Sequence, residues 1–280
     1  MTDNSDLLQI ARDAVALGAD MVKNTRPRHI REKSDRDIVT DVDVEVERAV
    51  REQLSKKTPG IGFLGEEEGT DDPDTEYLWT LDPIDGTSNF AHGLPLCATQ
   101  LALLHHKRPI LAVITAPFLD LQYYATKGTG AFCNGIQINT SKTIELSKAI
   151  VSLGDYATGK RSRSKNRFRI ELTARLAERV ERVRMFGTAA LDLAWVADGH
   201  TDATFIMANK PWDTFAGALI AREAGAIVVD KFGSPHDIRA RETLAFTSIL
   251  EVPITELMNE INGDFKSEDQ PFSHTDRQPT

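Results

Sequence analysis

Three acid-bearing segments carry residue types and spacings that can do chemistry. Gly65-Glu66-Glu67 follows a short strand-like run, and Trp79-Thr80-Leu81-Asp82-Pro83-Ile84-Asp85-Gly86-Thr87-Ser88-Asn89-Phe90 contains a second. Trp212-Asp213-Thr214-Phe215-Ala216-Gly217 opens a helix-like stretch. Carboxylates are hard oxygen donors of the kind Mg2+ takes, usually alongside several waters. Acids on neighbouring strand ends can also share a pair of ions. In the middle segment Pro83 fixes its own φ and lacks an N–H, which stiffens the link between Asp82 and Asp85. Both aspartates can then face one ion pocket, with the Ile84 carbonyl as a further hard ligand. Gly86 lets the backbone come close to a ligand. A helix starting there would offer the amides of Gly86 and Thr87 to an anion, and the Thr87 hydroxyl could orient a metal-bound water. The pattern is that of a phosphate held between cations and amides. Any one of these acids taken alone reads as a turn former or a helix cap. Their joint occurrence, with a tryptophan shortly before each aspartate segment, argues for a site.

Elements must exist to position these residues. Apolar residues at helical spacing over residues 6–22 predict an amphipathic first helix. A second helix is expected from Thr40 or Asp41, with Thr40 as N-cap and Asp41, Asp43 and Glu45 at the positive end of its dipole. Pro59-Gly60 ends it. Strands are expected at 61–64, 77–81, 98–104, 110–115, 122–125, 149–153, 204–207 and 227–229. Helices are expected at 168–183, 191–197 and 213–224. Antiparallel-looking runs come first and an alternating pattern later, which predicts an α+β protein of two lobes in one unit. The expected division is an N-terminal α+β lobe over 1–145 carrying most of the metal ligands, and a C-terminal α/β lobe over 146–262 completing the site. Residues 263–280, polar and Pro-containing, read as a disordered tail.

Composition narrows the class of function. The chain has 280 residues, 41% hydrophobic and 27% charged, which argues against wholesale disorder. With 33 basic and 42 acidic residues its net charge is −9, which disfavours nucleic acid as a partner. No apolar stretch reaches the ~20 residues of a membrane span. The start, MTDNSDLLQI, lacks the pattern of a secretory signal, so a cytoplasmic setting is expected. Cys97 and Cys133 are too few for a disulfide framework or a thiolate metal site.

The three acid segments together resemble the inositol monophosphatase-like family of Mg-dependent, Li-sensitive phosphatases, over about residues 33–225. The resemblance implies a layered αβαβα sandwich, Mg2+ as cofactor, a small phosphorylated metabolite as substrate and a homodimer. By motif it implies Glu66, Asp82, Asp85 and Asp213 as metal ligands with the Ile84 carbonyl, and Thr87 and Glu66 as activators of the attacking water. The Gly86 and Thr87 amides would hold phosphate. Lys33, Asp43 and Glu67 resemble accessory residues of the site, with Lys33 and Asp43 on a mobile loop. Gly187, Thr188 and Ala189 resemble the segment that touches the rest of the substrate. The implied reaction is in-line attack by water on a phosphate monoester, without a phosphoenzyme.

Some residues depart from that pattern. Inositol-specific members tend to place an acid seven residues before the last metal aspartate, where this chain has Ile206. Inositol 1-phosphate remains the first expectation, with histidinol phosphate or another small sugar phosphate as the alternative. A regulatory member without turnover is a third reading. Residues 154–160 fit the first seven positions of a P-loop, but Arg161 stands where the metal-binding hydroxyl should be, so nucleotide binding is set aside. The basic run Arg161, Arg163, Lys165, Arg167 and Arg169 is either a solvated helix start or a rim that draws in phosphate.

Overall fold

The computed structural model describes residues 4–70, 75–208 and 210–268. Helix α1 (Asn4–Asn24) leads to a two-stranded hairpin, β1 (Ile30–Ser34) and β2 (Asp37–Thr40), and then to α2 (Asp41–Lys57). A large sheet follows, of β3 (Gly62–Gly65), β4 (Gly69–Thr70), β5 (Tyr77–Asp85), β6 (Ala98–His105), β7 (Arg108–Ala116), β8 (Leu121–Thr126), β9 (Ala131–Cys133) and β10 (Ile136–Ile138). Its order is β10-β9-β8-β7-β6-β5-β3-β4. The short helix α3 (Thr87–Ala91) links β5 to β6. The later half forms a second sheet of β11 (Ile150–Leu153), β12 (Arg182–Arg184), β13 (Ala203–Ile206), β14 (Ala226–Val229) and β15 (Thr243–Thr247), in the order β12-β11-β13-β15-β14. It carries α4 (Ser162–Arg179), α5 (Ala189–Ala197), α6 (Pro211–Glu223) and α7 (Glu251–Glu268). Among the described residues, no helix is long and apolar enough to cross a membrane.

Strand alternation sets the layers. Successive side chains of a strand point to opposite faces. On β6, Leu101 and Leu103 pack with Val15, Val46 and Val50 of α1 and α2. Ala102 and Leu104 pack instead with Ala194, Leu219 and other residues of α5 and α6. On β13, Ile206 joins that same central layer, whereas Ala203 and Phe205 face Leu172 and Leu176 of α4 and Leu257 and Ile261 of α7. The result is α1/α2, large sheet, α5/α6, small sheet, α4/α7. This is the αβαβα sandwich expected of the α+β chain.

The sequence reading places no element over β1, β2, β4, β9, β10, β15 or residues 251–262 of α7, and three of its boundaries differ for packing reasons. Helix α4 starts at Ser162 and stops at Arg179 rather than running to 183. Val180 and Val183 instead pack with the small-sheet core, and Val183 pairs with Val151 in parallel register. Strand β5 continues past Leu81 through Asp85, so the aspartates lie within a strand end and not on an open turn. Residues 263–268, read as part of a disordered tail, belong to α7. Phe265 extends the apolar stripe of Ile254, Leu257, Met258 and Ile261, and its ring meets Phe168 at 5.3 Å. Residues 269–280 of that expected tail lie outside the described residues.

Candidate active site

Asp82 and Asp85 are three residues apart, so a regular strand would point them to opposite faces. The pairing of β5 with β6 runs Asp82 to Gln100 and then Asp85 to Ala98, three steps against two. This bulge at Pro83-Ile84 cancels the offset, and both carboxylates line one cavity of about 990 Å3. Pro83 suits the bulge because it has no N–H to leave unpaired. Its carbonyl accepts the Thr99 hydroxyl at 2.8 Å.

The other two acids arrive from different directions. Strand β3 runs parallel to β5 with Gly65 beside Leu81. The Glu66 N–H donates to the Leu81 carbonyl at 3.2 Å, which sets Glu66 next to Asp82. Asp213 lies in the first turn of α6 and accepts the Lys210 N–H at 3.1 Å. Gln100 ties that turn to β6 by donating from Nε2 to the Asp213 carbonyl at 2.9 Å. Ligand oxygens of Glu66, Asp82 and Asp213 all lie within 4.8 Å of one another.

The electrostatics are those of a cation site. Asp82 is 2% exposed and its Oδ1 has no hydrogen-bond donor. Burial pushes its carboxyl well above the ordinary carboxylate range, and Glu66, Asp85 and Asp213 push it further. Burial also raises Asp213, with Glu66 and Asp85 adding to the rise and Lys210 opposing it. A buried carboxylate oxygen without a donor is costly unless a cation satisfies it. The donor set is all oxygen, which fits a hard divalent ion such as Mg2+.

Asp85 differs from Asp82 in being held. It accepts the Thr188 hydroxyl and the Ala190 N–H, the latter at 2.6 Å. Burial raises its carboxyl, these bonds oppose the rise, and the balance is about 6. Gly187, Thr188 and Ala189 line the cavity. The Thr188 hydroxyl, however, is engaged with Asp85, so its side chain positions that acid. Gly86 has φ +90, and a Cβ there would come within 2.9 Å of the Leu96 carbonyl and 3.2 Å of the Gly187 carbonyl. Only glycine lets these two segments approach so closely.

Thr87 opens α3. Its hydroxyl lies 3.0 Å from Asp43 Oδ1 and 2.9 Å from the Ile84 carbonyl, both acceptors. Asp43 is fully buried in the first turn of α2, where it accepts the Thr40 N–H at 2.8 Å and the Thr40 hydroxyl. Lys33 Nζ donates to Glu66 at 2.9 Å and also to Glu67. Burial works against the Lys33 charge, but the two glutamates outweigh it and hold the ammonium protonated. Burial raises Glu67 to about 7 in spite of Lys33. The expected mobile loop for Lys33 and Asp43 is not what they occupy. Lys33 lies on β1, and Asp43 is locked in a capping box.

The match to known proteins follows the same residues. The model of the inositol monophosphatase family matches residues 3–262. The chain belongs to the inositol monophosphatase family. It is a phosphatase, a phosphoric monoester hydrolase. A probable inositol 1-monophosphatase ImpA of Mycobacterium tuberculosis is 34% identical over 229 residues, 82% of this chain and 84% of that protein. An inositol monophosphatase of Dictyostelium discoideum is 38% identical over 247 residues, covering 85% and 89%. A fructose-1,6-bisphosphatase/inositol-1-monophosphatase of Thermotoga maritima is 33% identical, covering 81% and 84%. Among solved structures, the inositol monophosphatase from Anabaena is similar with a TM-score of 0.81 and 31% identity over 91% of this chain and 95% of that one. The extragenic suppressor protein suhB from Bartonella henselae has a TM-score of 0.83 with 29% identity over 90% and 98%.

Two features of this phosphatase escaped the sequence reading. Glu47 of α2 is fully buried and accepts the Glu67 N–H at 2.8 Å and the Glu68 N–H at 2.9 Å. It seats the turn that presents Glu66. Its carboxyl lies 2.2 Å from where a Gly65 Cβ would stand, so the glycine of Gly65-Glu66-Glu67 was the available clue. The P-loop-like stretch is the second feature. Gly154, Asp155 and Thr158 form part of the cavity wall, and Asn166 Nδ2 and Oδ1 bond the backbone of Ala157 at 2.9 and 2.7 Å.

Proposed function

We propose that this chain is a Mg2+-dependent phosphomonoesterase of small phosphorylated metabolites, with inositol 1-phosphate the first candidate. The observation that carries the reading is the donorless Asp82 oxygen within 4.8 Å of ligand oxygens of Glu66 and Asp213. Glu66, Asp82, Asp85 and Asp213, with the Ile84 carbonyl, would hold the ions. When bound, Mg2+ lowers the pKa of water and offsets charge on the phosphoryl group. Thr87 Oγ1 accepts a proton from the attacking water while its own proton passes to Asp43 Oδ1, 3.0 Å away. Glu66 helps orient that water, and Lys33 keeps Glu66 and Glu67 in place. The amides of Gly86 and Thr87 hold phosphate oxygens. Attack is in line and leaves no phosphoenzyme. The same reading carries a homodimer and a cytoplasmic setting, with neither nucleic acid nor membrane as partner.

The similarity to the Mycobacterium and Dictyostelium proteins, both named as inositol monophosphatases, supports inositol phosphate. Ile206 on the cavity wall favours a second reading, another small sugar phosphate, because an apolar residue there accepts no hydrogen bond from a polyol. The test is phosphate release from a panel of monoesters, including inositol 1-phosphate and histidinol phosphate, with and without Mg2+ and Li+. We expect release that requires Mg2+ and is inhibited by Li+. No release from any monoester in Mg2+ would make the chain a member of the fold without turnover.

A further inference from the structure

The basic run at 161–169 resolves into two kinds of residue. Arg161, Arg163 and Arg167 are exposed. Lys165 and Arg169, one turn apart on α4, line the same cavity as Glu66, Asp82 and Asp213. Arg169 is only 6% exposed. It donates from Nη2 to the Met207 carbonyl at 2.8 Å and from Nη1 to Asn166 Oδ1 at 3.2 Å, both neutral acceptors. Its Nε is buried with no acceptor.

A buried cation is ordinarily paired with an opposite charge. Burial works against the Arg169 charge, whereas Glu242 and Asp155, which also line the cavity, favour it without outweighing burial. Neither accepts a hydrogen bond from it among the described residues, and Glu242 is bound to Lys231 at 3.0 Å. Lys165 has no ion-pair partner among the described residues. Ile206 adds no carboxylate to this wall. The guanidinium has five N–H donors in a planar fork that matches phosphate and carboxylate, and one N–H on each Nη is left for a ligand.

We propose that Lys165 and Arg169 form a second anion subsite, so that the preferred substrate carries a phosphate or carboxylate in addition to the ester that is hydrolysed. This rests on the phosphomonoesterase reading above and names its substrate class. The metal acids would take the scissile phosphate, and α4 the remote anion.

Three esters on one six-carbon chain test it: sorbitol 6-phosphate, sorbitol 1,6-bisphosphate and 6-phosphogluconate, each hydrolysed by the full-length protein in Mg2+. We expect kcat/KM for at least one of the two esters that carry a second anionic group to exceed that for sorbitol 6-phosphate at least ten-fold. Which of them leads tells phosphate from carboxylate. Arg169→Gln should lower that preference at least ten-fold through a higher KM, and Arg169→Lys should restore part of it. Lys165→Gln, at an exposed position that does not threaten folding, should lower it in the same direction. Hydrolysis of sorbitol 6-phosphate with no preference for either ester bearing a second anionic group overturns the subsite and leaves the phosphatase reading standing. Equal losses on all three esters in the variants also overturn it. No hydrolysis of any of the three or of inositol 1-phosphate overturns both.

Discussion

Asp82→Asn should separate the stability of this protein from its activity. The substitution removes one charge from carboxylates whose oxygens lie within 4.8 Å of one another. Two unit charges at that distance, in an effective dielectric of about 20, repel by about 3 kcal/mol. Asp82 faces Glu66 and Asp213, with Asp85 and Asp43 also raising its carboxyl. Protonation relieves part of that repulsion. The expected gain in the metal-free protein at pH 8 is therefore about 2–3 kcal/mol, or roughly 4–10 °C in Tm for a chain of this size. The assay is thermal unfolding of wild type and variant in EDTA and in Mg2+, with phosphate release measured on the same samples. In EDTA the variant should melt above wild type. On adding Mg2+ at 100 times its Kd, wild type should gain about 2.7 kcal/mol, and the variant much less. Phosphate release should fall at least ~1,000-fold, the scale of losing several kcal/mol of charge stabilisation. A variant that melts below wild type in EDTA, or that gains as much from Mg2+, would refute the idea that these acids form one cation site.

Four further outcomes follow from the same geometry. The carboxyl of Asp85 sits at about 6 against an ordinary 3.8, and that of Glu67 at about 7 against 4.5. The folded chain thus binds protons that the unfolded chain has released, so metal-free stability from these groups is present below about pH 4 and lost as pH rises through 6 and 7. A Tm in EDTA that climbs from pH 5.5 to 8 would contradict this. Thr188→Val removes a bond that lowers the Asp85 pKa. Mg2+ affinity by calorimetry should then drop more at pH 6.5 than at pH 8, and equal losses would remove Thr188 from that role. Thr87→Ala should slow phosphate release about 100-fold or more, and Thr87→Ser should recover most of it. Failure of serine to rescue would deny the hydroxyl its part in the proton path. Gly65→Ala forces a Cβ to 2.2 Å from the Glu47 carboxyl and should cost about 1–3 kcal/mol in denaturant unfolding, whereas a neutral result would mean that the Glu66 turn is not seated as described.

Much of the candidate site was legible because its acids sit in short strings with local logic. Asp82-Pro83-Ile84-Asp85-Gly86-Thr87 holds two acids, a stiffener, a carbonyl and a glycine within one strand end. Thr40 and Asp43 could be read as the start of α2 because capping is also local. Two of the missed pieces had weak local signals. Strand β12 is a charged segment whose one valine, Val183, finds a core only after β11 is beside it. The last turns of α7 are polar apart from Phe265, which is anchored by Phe168 from a distant helix.

The sequence by itself determined which oxygen donors the protein carries in its acid segments and where its amphipathic faces would lie, since residue type and period are properties of the chain. Tertiary structure alone decided which groups meet. Thr188 reaches Asp85 across 103 positions of sequence, Lys33 reaches Glu66 across 33, and Arg169 lines the same cavity from a different layer. Such contacts depend on how five layers stack and on one bulge that turns two aspartates to the same side. Those are long-range packing outcomes, and no local pattern of residues encodes them on its own.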